Sequence, residues 1–525
     1  PLPIEIIRAA MLLRANTLAK GYSGIRPSTL QLLLALLNKG VHPIIPEKGS
    51  VGASGDLAPL AHMALVLIGE GEAEYNGEIL SGAEALKRAG LKPIELEPKE
   101  GIALINGTQI MTAIAALTTA DAQNLIAMSE IAAALSMEAL EAVLDAFDPH
   151  IHQIRPHPGQ LQSAHNILTI LTGSSQVLTS RERMKLTQAA VEKVPIPFTS
   201  ESDEGQEALN SILRHITHSV IALDDQIKIE PTESANQLKL KRKHIQKHLE
   251  TLGISKETFD AVIAAARATQ RVQDAYSIRC TPQVLGTVRD AIKFADQIVT
   301  IEMNSATDNP LIFPESKTFL SGGNFHGQPI AVIMDLLGIT LTTVGAIAER
   351  RIARLIDDKL SNGLPLLLVH PTLADQGIYF GLGLAQITAA ALTAECQTLA
   401  TPASIRSIPT SANQEDHVSM GTIAARHAQA ILSNVEHIIA IEYLCAIQGI
   451  DLRGLVKDVR LGQGSQIAYD LLRKAVPRYT DAKPHPTDRL TQDFLLHHDI
   501  NRIWELMQTH AIVDSIRKGL HEFQF

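Results

Sequence analysis

Apolar residues recur along this chain at steps of three and four over long stretches. From Pro329, PIAVIMDLLGITLTTVGAIAERRIARLIDD sets Ile333, Leu337, Leu341, Val344, Ala348, Ile352 and Leu355 on one face. That period predicts one long helix with Pro329 close to its start. A second is predicted from about Thr422 past Cys445, with Ile431, Val435 and Ile438 on its stripe. A third runs from just after Asn106-Gly107 toward Leu144. Strand signals are few. The clearest is EAEYNGEIL, where Asn76-Gly77 between short alternating runs reads as a hairpin turn. The expected fold is mainly α, with long packed helices and few short strands.

Two stretches, Gly101 to Ala120 and Gln376 to Ala394, carry no charge over membrane-like lengths. Both contain polar residues such as Asn106, Gln109 and Gln386 and are rich in Ala, Gly and Thr. A transmembrane helix is more uniformly apolar, so both are expected to be deeply buried segments of a tight helical assembly. Hydrophobic residues make up 45% of the 525, aromatics only 4%, so the core is built from aliphatic side chains. A net charge of −10 argues against nucleic acid or an anionic membrane as partner. Cys280, Cys396 and Cys445 are too few and too scattered for a disulfide framework or a zinc site. No metal is expected. With no signal-peptide pattern at the N-terminus, the expected compartment is the cytoplasm.

The chain changes character from about Ser180 to Thr269, where PIPFTSESDEGQ is followed by LKLKRKHIQKHLE. The basic run from Lys239 to Lys247 reads as a solvated helix face. Three parts are therefore expected: residues 1–179 and 270–525 forming the helical core, and residues 180–269 as a polar insertion or small helical subdomain.

The chemistry concentrates in GSVGASGDLAPLAHM, where Gly49, Gly52 and Gly55 surround Ser54. One reading is a glycine-rich turn in which Ser54 or Asp56 caps the following helix. A serine between glycines also suggests a nucleophile elbow, but no suitable strand precedes it. A third reading follows from peptide chemistry. If a tight turn presses the Gly55 nitrogen against the Ala53 carbonyl carbon, the backbone can close into a five-membered ring. Only glycine permits that approach. Loss of water from the ring and from Ser54 leaves a conjugated exocyclic alkene, a strong electrophile made from the chain itself.

This loop closely resembles the prosthetic-group loop of the histidine, phenylalanine and tyrosine ammonia-lyases, in which Ala-Ser-Gly matures into 4-methylidene-imidazol-5-one. The resemblance extends through LINGTQ, RPHPGQ, QDAYSIRCTPQVLG, EMNSATDNPLIF, SGGNFHGQP and SIPTSANQEDHVSMGTIAARHA, in family order. It implies a homotetramer of long helices whose active sites draw residues from several subunits. It also implies that Ala53, Ser54 and Gly55 form the electrophile, with no dissociable cofactor. Asn106 would hydrogen-bond that group or the substrate. Arg279 would grip the carboxylate of an amino acid substrate, a task suited to a planar bidentate donor. Tyr276, counted with the catalytic residues, and Gln273 would line the site, and Phe325 would wall the substrate ring.

Gln414 and Glu415 fall in ANQEDHVSM, the form found in histidine ammonia-lyases. A carboxylate accepts a hydrogen bond from an imidazole N–H, whereas beside a phenyl ring it is buried unpaired at a cost. The resemblance thus implies elimination of ammonia from L-histidine to give urocanate. The phenylalanine and tyrosine lyases and the tyrosine aminomutases share the prosthetic group and several motifs, and remain alternatives. So does an inactive helical scaffold. Two departures from the family pattern stand out. None of the seven tyrosines lies in the Tyr-Gly-x-x-Thr-Gly-Phe-Gly type loop that carries the family's β-proton base, and Pro1 corresponds to a point inside a family member. The segment between Gln160 and Gln273 is also longer than a bacterial histidine ammonia-lyase leads one to expect.

Overall fold

The computed structural model describes residues 1–185, 232–251, 256, 273–369, 380–454, 458–476 and 495–523. Five helices organise it: α1 (Ile4–Ala19), α2 (Gln109–Leu140), α3 (Thr281–Met303), α4 (Gln328–Ile356) and α5 (Gly421–Gly454). The three long helices predicted from periodicity are α4, α5 and α2. Every residue of the predicted α4 stripe is buried, as are Ile431, Val435 and Ile438 of α5. Pro329 lies in the first turn of α4, where its missing N–H costs nothing. α2 stops at Glu141, whose left-handed φ of 51° turns the chain away.

Glycines let α4 and α5 approach closely. A Cβ at Gly345 would lie 3.1 Å from Ile438 Cδ1 and 3.2 Å from Val435 Cγ2. α4 and α5 are long and apolar enough to cross a membrane, but 67% and 78% of their most apolar windows are buried inside the bundle. Buried ion pairs tie the layers together. Arg351 of α4 grips Glu442 of α5 at 2.5 and 2.8 Å, with both side chains fully buried. Ser136 of α2 donates to the same carboxylate. Glu130 of α2 takes both arms of Arg289 of α3 at 2.7 Å and is further bonded by Ser163 and Asn166. Removing one partner of such a pair costs about 3–5 kcal/mol, because the other charge stays buried.

These contacts set directions. α2, α4 and α5 begin at one end of the molecule and run parallel to the other, while α3 runs back and ends where they begin. Strands are short, as expected. β2 (Glu72–Tyr75) and β3 (Glu78–Ser81) form the predicted hairpin, and Asn76 and Gly77 take φ of 53° and 84°. β1 (His42–Pro43) adds to β2 and was not anticipated, since two residues carry no alternation to read. A second hairpin pairs β4 (Leu311–Phe313) with β5 (Thr318–Leu320).

Of the two uncharged stretches, Gly101 to Ala120 is largely buried, as expected. The other needs correction. Within Gln376 to Ala394 the described part forms the Gly383–Leu399 helix, which buries one face and leaves Leu384 and Ile387 exposed. Gln376 to Tyr379 lie outside the described residues. So does most of the 180–269 insertion, apart from residues 180–185, 256 and the Thr232–Thr251 helix. On that helix Lys239, Lys241, Lys243 and Lys247 are exposed, in keeping with a solvated face.

Candidate active site

The glycine-rich loop lies where α2, α4 and α5 begin. Its backbone takes left-handed φ at Gly52 (76°), Ser54 (52°) and Gly55 (78°). Ser54 is a strained exception, since residues with a Cβ seldom adopt that region. Gly52 and Gly55 are required by space as well as by φ. A Cβ at Gly52 would lie 2.0 Å from Ser419 Oγ, and one at Gly55 would lie 2.1 Å from the Gly107 carbonyl oxygen. Gly55 and Gly107 form a parallel bridge, and the Asp56 N–H donates to the Gly107 carbonyl at 2.7 Å. The loop is thus pressed against the Asn106-Gly107 turn.

Asp56 corrects the capping expectation. It precedes the Leu57–Leu67 helix, yet neither it nor Ser54 caps that helix with its side chain. The buried carboxylate instead reaches the starts of α2 and α5. Oδ2 accepts from the Met111 N–H at 2.8 Å, while Oδ1 accepts from the Thr422 hydroxyl and from Ser50 Oγ at 3.0 Å. An anion is favoured there by the partial positive charge of helix N-termini. Burial pushes the Asp56 carboxyl above the ordinary range, and the Thr422, Met111 and Ser50 hydrogen bonds oppose the shift. A second carboxyl, Glu302 at the end of α3, accepts from Thr108 Oγ1 at 2.5 Å. Burial raises it, the Thr108 bond pulls it down, and the like charge of Asp56 raises it again.

Ser54 Oγ donates to Glu415 Oε1 at 2.5 Å, across 361 positions of sequence. Glu415 closes a tight turn in which Ser411, Ala412 and Asn413 all have φ between 50° and 67°. Such strain persists only where the surroundings enforce it, and it collects at functional sites. The Ser411 hydroxyl holds the Glu415 carboxyl below its usual range, with Ser54 and Thr410 adding to the effect and partial burial opposing it. Gln414 is exposed beside it. Asn106 is buried just behind the loop, and its side-chain Oδ1 has no hydrogen-bond partner. An orphaned buried acceptor calls for a ligand or a group still to be formed. Phe325, half-buried, precedes a linked turn: the Gln328 N–H donates to His326 Nδ1 at 3.3 Å, so Nε2–H faces the His417 carbonyl at 3.2 Å.

Ala53, Ser54, Gly55, Asn106, Phe325, Gln414 and Glu415 therefore share one end of the bundle. Gln273, Tyr276 and Arg279 do not join them. Their segment is tied to the opposite end, where Arg351 Nη1 donates to the Ser277 carbonyl at 3.3 Å and the Val143 N–H donates to Asp274 at 2.6 Å. From the start of α4 to Arg351 is about 35 Å at ~1.5 Å per residue. There Arg279 donates to Gln273 Oε1 at 2.6 Å and lies over the Tyr276 ring at 4.7 Å. Tyr276 is 70% exposed, and among the described residues Arg279 forms no ion pair. A guanidinium held by an amide and an aromatic face keeps its charge available for an anion.

The strained loop, its glycine backstop and the orphaned Asn106 would suit a group formed from Ala53-Ser54-Gly55. The aromatic amino acid lyase family profile matches residues 1–193 and 233–474. The chain belongs to the aromatic amino acid lyase family. It is 43% identical to the histidine ammonia-lyase of Alkaliphilus metalliredigens over 518 residues, covering 99% of this chain and 81% of that protein. It is also 43% identical to the Gloeobacter violaceus histidine ammonia-lyase, covering 98% and 80%. Among solved structures it resembles histidine ammonia-lyase from Trypanosoma cruzi, with TM-score 0.74, 34% identity and coverage of 99% and 79%. Tyrosine aminomutase from Streptomyces globisporus is as similar, with TM-score 0.75, 34% identity and coverage of 98% and 81%. As a family member the chain is a carbon–nitrogen lyase.

Several residues of this site escaped sequence analysis. Ser50, Gly107, Glu302 and Thr422 lie within the quoted motifs but were assigned no role of their own, and Arg14 lies outside all of them. Arg14 did leave a signal, a charge set among Ala10, Met11, Ala15 and Leu18 on a helix face that is otherwise apolar.

Proposed function

We propose that this protein releases ammonia from L-histidine to give urocanate, using an electrophile made from Ala53, Ser54 and Gly55. The observation that carries the substrate is Glu415, a carboxylate held within hydrogen-bond reach of the Ser54 side chain. As 4-methylidene-imidazol-5-one, the triad would supply a carbon electrophile that turns the substrate amine into a better leaving group. Glu415, kept ionised by the hydroxyls around it, accepts the imidazole N–H and orients the ring. Phe325 walls that ring, Gln414 flanks it, and Asn106 offers its free acceptor from behind. Arg279, steadied by Gln273 and Tyr276, takes the substrate carboxylate as a bidentate partner.

The proposal includes a homotetramer with shared sites. Support comes from the distance between the Ser54 and Arg279 ends within one chain, which no single substrate bridges. Support comes also from apolar side chains left exposed on the long helices: Phe294 and Ile301 of α3, and Val332 and Ile339 of α4. Patches of this kind mark association surfaces.

Two measurements test the proposal. The purified chain should have an intact mass short by two waters, and a panel of L-histidine, L-tyrosine and L-phenylalanine should yield urocanate from the first. A cinnamate or a β-amino acid as main product would move the assignment to an aryl lyase or an aminomutase, and the full unmodified mass would favour a scaffold. The substitution Glu415→Gln should lower kcat/KM for histidine by about 10- to 100-fold, the scale of a hydrogen bond to a charged group. An unchanged value would remove Glu415 from the site.

A further inference from the structure

Arg14 stands out as a buried cation without a salt bridge. The α1 side chain is fully buried, and among the described residues no carboxylate lies within ion-pair distance of it. Asp308, the anion whose field reaches it, is bonded to Lys99 at 2.8 Å. Burial lowers the Arg14 guanidinium to about 10, with Asp308 opposing, so it stays charged at neutral pH. Burying a charge is costly unless its hydrogen bonds are made. Here the partners are oxygens of the chain: the carbonyls of Ala103, of Asn106 at 2.8 Å and of Thr307 at 3.3 Å, and Gln109 Oε1 at 2.8 Å. Gln109 Nε2 is fastened in turn to Thr307 Oγ1 at 2.6 Å and Thr17 Oγ1 at 3.1 Å.

All four acceptors surround one turn. The Ala103 and Asn106 carbonyls close the Glu100–Ile105 helix, Gln109 opens α2, and Gly107 lies between. A Cβ at Gly107 would lie 2.5 Å from Arg14 Nη1, while a Cβ at Gly55 would lie 2.1 Å from the Gly107 oxygen. Arg14, Gly107 and Gly55 are thus three layers in direct contact, with no slack between α1 and the Ala53-Ser54-Gly55 loop.

We infer that Arg14 is a positioning residue for maturation: it holds the Asn106-Gly107 turn as a rigid backstop that keeps Gly55 folded back toward Ala53. This rests on the proposal that the triad cyclises. In that step the Gly55 nitrogen bonds to the Ala53 carbonyl carbon, and the carbonyl oxygen leaves as water with the Gly55 and Ser54 amide hydrogens. Ser54 then loses its Cα hydrogen and its hydroxyl as a second water. No oxidant is needed. A backstop that yields lets Gly55 swing away, and ring closure loses the close orientation that intramolecular reactions depend on.

The test is the intact mass of full-length Arg14→Lys and Arg14→Met chains, followed over hours after synthesis alongside thermal unfolding. Lysine keeps the charge but offers one nitrogen, which cannot span four acceptors. The wild type should be short by two waters, whereas most of each folded variant should remain at the unmodified mass or lag in losing water. Folded variants that reach the two-water deficit as fast as the wild type overturn the inference, even if their melting temperatures fall, since that is all a merely structural arginine would change. A wild type at full mass overturns the proposed function instead. If neither Arg14 variant folds, Gln109→Leu, which loosens the same grip and leaves the guanidinium in place, gives the same readout with the same two outcomes.

Discussion

The two ends of the helical bundle are built in opposite ways. At the Ser54 end, three long helices begin together around a buried carboxylate, and the reactive loop is wedged between Gly107, Ser419 and Glu415. Most polar groups there have a partner within the same chain, while the Asn106 and Gln328 side-chain oxygens and Arg14 Nε are buried without one. At the other end, among the described residues, the side chains of Gln273, Tyr276 and Arg279 hold one another, and Tyr276 is exposed. One end is finished by folding. The other leaves Arg279 without an ion pair among the described residues, and the proposed reaction draws on both ends.

The sharpest way to break this comparison is to remove the electrophile. Ser54→Ala should leave the chain unable to lose its second water and lower kcat by at least about 10⁴-fold, the scale on which residues of a covalent route act. Appreciable residual activity would mean that the finished end is not where the reaction takes place.

Next in size is the split itself. Arg279→Met should lower kcat/KM by roughly 10- to 100-fold through loss of a charged hydrogen-bond pair, and should leave the two-water mass deficit intact. Co-expression of Ser54→Ala with Arg279→Met chains should then recover part of the lost activity, because mixed assemblies contain sites with both groups whole. Failure of the mixture to exceed either variant alone would count against sites shared between copies.

The smallest effect concerns Glu302. Its carboxyl is raised in the folded chain, chiefly by burial, so the folded state holds that proton more tightly than the unfolded one. The sign follows: stability present at low pH is lost as pH climbs from the ordinary carboxylate range through the raised folded value. Glu302→Gln should flatten that decline in melting temperature, by on the order of 1–2 °C. Glu415, lowered rather than raised, should act in the opposite sense, losing its contribution as pH falls. An unaltered pH profile in Glu302→Gln would show that the Thr108 bond offsets burial completely.

Periodic burial made α2, α4 and α5 legible before any coordinates, since a long helix repeats its message every turn. Asn76-Gly77 was legible for a different reason, because few residue pairs accept two left-handed φ values in a row. Asp56 misled because capping is a local rule, and its carboxylate found better donors at the starts of α2 and α5 than in its own helix. The Gly383–Leu399 helix misled because composition records that a segment is apolar but not which face is covered. Arg14 was visible only as a charge on an apolar stripe, and nothing nearby in sequence announces the carbonyls it holds.

By itself, then, the sequence determined the long helices, the hairpin and, through its ordered motifs, the family. These are consequences of short-range spacing and of side-chain type. The tertiary structure alone decided that Ser54 meets Glu415, that Gly107 stands behind Gly55, and that Arg279 lies at the far end of the same chain. Those facts depend on which helices run parallel and where each one starts. That is set by buried ion pairs and close packing between segments hundreds of residues apart, which no local pattern encodes.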